Sequence, residues 1–205
     1  QHGPHLPLAT DSIFVDDIVS EVFKLLPADI PLKKLPTQFI GFSPEHKGFA
    51  GTISLSSNLI TSMIKEVGGQ LSEMGFKRLI LINGHGGQIS LLNTAARELR
   101  SFAPGMAVFP CFLWSGVNGL SDLLTKTEIE NGLHASLAET SLMLALKPEL
   151  VGDQRPNEGI KEQIPDGWSL EGNAPTAWLT DDFSKSGVIG DSRGANESLG
   201  KNLKE

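Results

Sequence analysis

Four of the five histidines in this chain occupy turns or the approach to a predicted helix, positions from which an imidazole can reach a ligand. His2 and His5 share the run Gln1-His2-Gly3-Pro4-His5-Leu6-Pro7-Leu8-Ala9-Thr10-Asp11, and His85 sits in Asn83-Gly84-His85-Gly86-Gly87. His134 opens the stretch His134-Ala135-Ser136-Leu137-Ala138-Glu139-Thr140-Ser141. Imidazole nitrogen and carboxylate oxygen suit zinc, manganese or iron, and a carboxylate can bridge two such ions. Asp11 is the candidate bridge, although a helix cap accounts for it equally well on spacing alone. The glycines around His85 let backbone and ligand approach closely. That turn matches neither the dinucleotide fingerprint nor the phosphate-loop lysine pattern. Glu139 falls on a largely apolar helix, where a buried carboxylate is costly unless paired or bound to metal; a solvent-facing glutamate is the other reading. The fifth histidine, in Ser43-Pro44-Glu45-His46, receives no role.

The elements that must carry these residues follow from hydrophobic period. Phe14, Val15, Ile18, Val19, Val22 and Leu25 predict a helix from Asp11 to Leu26, with Thr10 or Asp11 as its cap. Strands are expected at Thr37 to Phe42 and Gly51 to Leu55, followed by a helix capped by Ser56 or Ser57. Gly68-Gly69 either weakens that helix or marks close packing. The clearest unit is the apolar strand Arg78 to Ile82, the His85 turn and a helix from Gln88 to Phe102, with a further strand at Met106 to Leu113. A continuous apolar strand suits a sheet covered on both faces, which also places Cys111 in a buried strand with a structural role. Alternating strands and helices predict a three-layer α/β/α fold with a mostly parallel central sheet, and His85 falls where such folds bind ligands, at a strand's carboxyl end. Beyond Lys147-Pro148, periodicity fades into a long loop region that ends in a helix from Arg193 to Glu205.

Composition narrows the function classes. A chain of 205 residues, 40% hydrophobic and 20% charged, is expected to form a single domain over 1–205, truncated at its amino terminus and open to truncation at its carboxyl terminus. No run approaches the roughly 20 apolar residues that span a bilayer. A net charge of −7 without a basic stripe argues against nucleic acid. One cysteine excludes an intrachain disulfide framework and points to the cytoplasm. Ser136 and Ser141 have no local base to make either a nucleophile.

Taken in order, Gln1-His2-Gly3-Pro4-His5-Leu6-Pro7 with Thr10-Asp11, Ser43-Pro44-Glu45-His46, Gly51-Thr52, Asn83-Gly84-His85-Gly86-Gly87, His134 with Glu139-Thr140-Ser141, and Gly187-Val188-Ile189-Gly190-Asp191 resemble the creatininase family of metal-dependent amidohydrolases. The resemblance implies a creatininase-like fold, two divalent ions (Zn, Mn or Fe), and hydrolysis of a non-peptide or cyclic amide C–N bond by metal-activated water. It implies that His2, Asp11 and His85 bind metal, that Glu139 supplies or supports the second ion, and that His134 moves a proton or holds the tetrahedral intermediate. The family's substrates include cyclic amides, formamide groups and modified peptides. Its members suggest a homo-oligomer, often hexameric. Trp114 and His5 are expected to contact a small-molecule amide substrate, and Trp168 and Trp178 suit a lid, although ordinary packing explains the tryptophans as well. Two departures stand out: the glutamate that precedes the signature's glutamine is absent, and Gly87 stands where creatininase itself has a glutamate. A non-catalytic relative, binding a small molecule or serving as an oligomeric scaffold, is the competing expectation.

Overall fold

The computed structural model describes residues 1–159, 170 and 175–205, and these fall into two compact units. The sheet unit comprises residues 11–44 and 53–116; the histidine unit comprises residues 1–10, 45–52 and 117–205.

The sheet unit is built on three helices and two strands: α1 (Thr10–Leu25, Thr10 itself belonging to the other unit), α2 (Ser57–Glu73), β1 (Arg78–Asn83), α3 (Ile89–Phe102) and β2 (Ala107–Phe112). Ser56 caps α2 by accepting from the Leu59 N–H, as its position before the apolar-periodic run predicts. Helix α2 runs unbroken through Gly68-Gly69. A Cβ at Gly68 would strike the Leu99 side chain, and one at Gly69 would lie 3.2 Å from Phe102, so these glycines permit close packing of α2 on α3. Leu92, Ala95, Ala96 and Leu99 form the buried stripe of α3, at the helical spacing that faces one neighbour. Leu99, Ala103 and Met106 form a core onto which Ile64, Leu71, Leu79 and Val108 pack. Each Leu, Ile, Val or Met side chain among these contributes roughly 1.5–3 kcal/mol when fully buried.

Strands β1 and β2 pair in parallel from Arg78 opposite Ala107 to Asn83 opposite Phe112. The Leu113 N–H extends the ladder by donating to the Asn83 carbonyl at 2.8 Å. Leu79 and Val108 point to the helix-covered face, and the two-residue period sends Ile80, Ile82, Phe109 and Cys111 to the other. Those four are exposed, Ile80 at 48%. The expectation of a strand covered on both faces is therefore corrected, and with it the burial of Cys111. Continuous apolar sequence records what a strand can bury, whereas coverage depends on which elements pack there.

The strands expected at Thr37 to Phe42 and Gly51 to Leu55 do not form. The Leu55 N–H donates to the Gly41 carbonyl and the Ser43 N–H to Ser54 Oγ, isolated bonds without a ladder. Thr37 instead donates its hydroxyl to Asp16 of α1, where Lys34 also binds, and this side-chain tether replaces strand pairing.

The histidine unit contains α4 (Leu120–Leu123), α5 (Lys126–Asn131), α6 (Leu137–Leu146), the short antiparallel pair β3 (Asn157–Glu158) and β4 (Gly190–Asp191), and α7 (Glu197–Lys204). Helix α6 is buried on most sides through Ala138, Thr140, Ser141, Leu142 and Met143. Helix α7, capped by Asn196, packs along it with Gly200 against the Ser141 carbonyl, where no side chain fits. The terminal helix matches expectation, beginning at Glu197 rather than Arg193, while much of the expected loop region, residues 160–169 and 171–174, lies outside the described residues. Trp168 lies outside the described residues. Among those described, no helix is long and apolar enough to cross a membrane.

Candidate metal centre

In the sheet unit, the signature turn brings His85 to Asp11. Asn83 is almost fully buried and acts as the turn's internal template: its Nδ2 donates to the His85 carbonyl at 2.8 Å, and its Oδ1 accepts from the His85 N–H at 2.9 Å and from Gln88 Nε2 at 2.9 Å. Gly84 lies against the first turn of α1, where a Cβ would fall 2.7 Å from the Asp11 carbonyl oxygen and 3.0 Å from Val15. With that close approach, His85 Nδ1 stands 3.4 Å from Asp11 Oδ2. Asp11 is inside the first helical turn, so its carboxylate also meets the positive end of α1. Trp114 stands edge-on to Phe14 at 6.2 Å, and its buried indole N–H has no hydrogen-bond partner among the described residues.

In the histidine unit, His2, His134 and Glu139 offer ligand atoms within 4.8 Å of one another, with both histidines buried. Backbone pairing fixes His134: its N–H donates to the Ile189 carbonyl at 3.1 Å and its carbonyl accepts from the Ile189 N–H at 2.9 Å. The next residue, Ala135, turns into the left-handed region at φ 51°, a conformation costly for a residue with a Cβ. This turn points the Ala135 N–H at Glu139, which accepts at 2.6 Å through Oε2. The His134 ring lies 2.7 Å from the Gln1 carbonyl through Nε2. A carbonyl can only accept, so the proton is on Nε2 and a neutral ring carries its lone pair on Nδ1.

His5 is 2% exposed and sits under this group, with Nε2 2.8 Å from Thr140 Oγ1. Burial, then Arg155 and His2, lowers its pKa from 6.5 to about 4, so His5 is neutral near pH 7. Thr140 in turn donates to the Ala135 carbonyl at 3.3 Å. The residue expected to contact substrate thus braces the turn between His134 and Glu139.

His46, which spacing left without a role, stacks on the His134 ring at 4.0 Å and 28°, while His2 lies on His134 at 4.3 Å. Thr180, fully buried, sits 2.5 Å from His46 Nδ1, and Glu45 approaches Nε2 at 3.6 Å. Trp178 meets His46 edge-on and donates its indole N–H to the Leu170 carbonyl at 3.1 Å. The Glu45-His46 pair is visible in the sequence, but its partner Thr180 lies 134 residues away. Ser136 is buried and hydrogen-bonded to Glu128, an arrangement with no imidazole relay for a serine nucleophile.

His2, His134 and Glu139 in one unit offer two imidazoles and a carboxylate, and His85 beside Asp11 in the other offers one of each; taken by itself, each group carries the nitrogen and oxygen donors that suit zinc, manganese or iron. The donor chemistry of these residues therefore fits the metals that the sequence resemblance implies.

Comparison with known proteins agrees. The chain is 30% identical over 209 residues to a mycofactocin precursor peptide peptidase from Mycobacterium tuberculosis, covering 99% of this chain and 75% of the relative. It is 28% identical to a creatinine amidohydrolase from Pseudomonas putida over 74% of this chain and 62% of the relative. Its fold superposes on a candidate creatinine amidohydrolase from Bacteroides fragilis with a TM-score of 0.82 at 23% identity, over the whole chain and 79% of the other. A manganese creatininase gives a TM-score of 0.75 at 22% identity, over the whole chain and 81% of the other. The fold is thus the creatininase-like α/β architecture. Residues 1–205 all match the family profile described as creatinine amidohydrolase, and the chain belongs to the creatininase family of hydrolases.

Proposed function

We propose that this chain is a metal-dependent amidohydrolase that cleaves an amide C–N bond with activated water. The observation that carries the reading is the convergence of His2, His134 and Glu139 in buried surroundings, in a chain whose family is hydrolytic. His2 and Glu139 in one unit, and Asp11 and His85 in the other, are the ligands in this reading, enough donors for two ions. Held by these residues, a divalent ion would supply Lewis-acid chemistry, bringing the pKa of a water towards about 7 and polarising the amide carbonyl. His134 moves the proton: with Nε2–H donated to the Gln1 carbonyl, Nδ1 receives a proton and returns it to the leaving nitrogen. The Ala135 N–H keeps the Glu139 carboxylate in place during that transfer.

Relatives named for a precursor peptide and for creatinine share an amide bond, so the substrate class here is widened from cyclic amides to include short peptides. A cytoplasmic homo-oligomer, possessing one cysteine per chain, completes the reading.

The test is metal content by mass spectrometry together with a screen of creatinine, other cyclic amides, formamides and short peptides, on the parent and His85→Ala. One or two divalent ions per chain, chelator-sensitive hydrolysis and loss of activity in His85→Ala are expected. Full activity without metal, or undiminished activity in His85→Ala, overturns the reading. Bound metal with no hydrolysis across the screen favours a small-molecule-binding relative, the reading that Gly87 in place of a carboxylate supports.

A further inference from the structure

Helix α6 begins in an unusual way. Its N-cap residue, Ser136, makes no capping bond of its own; the buried Ser136 hydroxyl donates to Glu128 at 2.8 Å. Glu128, from α5, performs the capping instead, with Oε1 accepting the Ala138 N–H at 3.0 Å. In sequence, Thr125 and Glu128 have the spacing of a capping box for α5, and half of that box forms: the Glu128 N–H donates to Thr125 Oγ1 at 3.2 Å. The carboxylate does not return to its own helix. It crosses to the next one and is 7% exposed there.

The surroundings are shaped around that carboxylate. A Cβ at Gly132 would strike it, and a Cβ at Gly190 would strike the Ser136 hydroxyl. Burial pushes the Glu128 carboxyl above the usual range, opposed by the bonds from Ala138, Ser136 and Leu137. A buried carboxylate at a helix start, where the N–H groups are unsatisfied, is compensated by those donors and by the helix dipole.

We propose that Glu128 is a positioning residue for the metal centre: by capping α6 in place of its own first turn, it fixes Ser136 and Ala138 so that the bend at Ala135 and Ser136 presents Glu139 to the ligand group. This inference rests on the metal-binding reading of Glu139. Glu128 holds the segment at Ser136 and Ala138, and the Ala135 N–H holds Glu139 at 2.6 Å, so the three bonds set the bend from both sides.

The test is a double-mutant cycle on the full chain, Glu128→Leu with Glu139→Gln, read by manganese titration and by hydrogen exchange of the Ala135 amide. Glu128→Leu lowers manganese affinity about tenfold or more, the range for partners that orient a ligand, and adds little once Glu139 is already changed. Glu128→Gln, which still accepts from Ala138 while Ser136 reverses its hydroxyl, restores most of the affinity. Additive losses across the cycle overturn the inference, as does Ala135 amide protection that is unchanged in Glu128→Leu. If Glu139→Gln leaves manganese affinity intact, the ligand role of Glu139 fails, and the Ala135 amide still decides whether Glu128 sets the bend. Should Glu128→Leu not fold, Ser136→Ala carries the same cycle, with Glu128→Gln as the conservative control.

Discussion

The two ligand-bearing units hold similar side chains by different means. In the sheet unit, Asp11 and His85 meet because a helix start and a strand-end turn touch through Gly84, and the turn is templated by one buried asparagine within two residues of the histidine. In the histidine unit, His2, His134 and Glu139 are assembled by contacts across the chain, such as Gln1 to His134 over 133 residues and His46 to Thr180 over 134. Local templating produces a ligand pair that is partly solvated, with Asp11 at 26% side-chain exposure; long-range assembly produces a group whose two histidines are buried while Glu139 is half-buried. The first arrangement suits adjustable ligands, whereas the second suits proton transfer, for which ring orientation matters more than access.

The comparison predicts a division of labour among substitutions, and activity shows it most strongly. His134→Gln is expected to lower kcat by about 10²–10⁴-fold, the usual worth of a positioned acid–base group, with metal content retained. Asp11→Asn and His85→Ala are expected to lose metal as well as activity. Steady-state kinetics beside metal analysis checks both, and a His134→Gln chain that loses metal in parallel would erase the proposed distinction between the units.

The next effect is on stability and tests the local template. A methyl at Gly84 meets the Asp11 backbone, which has no flexible end to give way. Gly84→Ala is expected to cost about 1–3 kcal/mol, as overpacking does, and to weaken metal binding. Gly200→Ala, against the Ser141 carbonyl, is expected to cost a similar amount without weakening metal binding. Denaturant unfolding and metal titration of the two variants separate these outcomes; equal metal loss in both would mean that Gly84 acts only through global stability.

This same contrast explains what was legible in the sequence. Strand β1, the His85 turn and α3 could be read because period, turn chemistry and residue type agree over a short window. Helix α2 could be read from Ser56 and its apolar stripe. The expected strands near Phe42 and Leu55 failed because a strand exists only with a partner, and Thr37 is tied to Asp16 instead. In the histidine unit, His134 and Glu139 could be named from type, but His46 could not, since stacking on His134 leaves no sequence pattern. Glu128 was hidden by its own motif: the Thr125 spacing signals a local cap, and nothing local says that the carboxylate serves another helix.

A smaller effect probes long-range support. Thr180→Val keeps the volume and removes the hydroxyl beside His46 Nδ1, at a cost of about 1 kcal/mol for the lost hydrogen bond. Thr180→Ser restores it. Thermal unfolding reads the cost, and a stability unchanged in Thr180→Val would show that the His46 ring is held by packing alone.

The smallest expected effect is the slope of stability with pH in the metal-free chain. His5 is held at about pH 4 against 6.5, so between those values the unfolded chain binds more protons, and stability rises with pH before levelling off above 6.5. Glu128 acts in the opposite sense: its folded pKa lies above 4.5, so from 4.5 upwards the folded chain keeps the proton longer and stability falls until the folded group ionises. In the sheet unit, Lys34 and Thr37 hold Asp16 below 3.8, so its contribution is present above that pH and lost beneath it. The histidine unit therefore governs the range from pH 4 to 6.5 among these three groups. Glu128→Gln removes the falling contribution and is expected to steepen the rise from pH 4.5 to 6.5, measured as the unfolding midpoint at fixed ionic strength. A variant with the parent's slope would remove Glu128 from this balance, and a Glu128→Gln chain with no rise between pH 4 and 6.5 would remove His5.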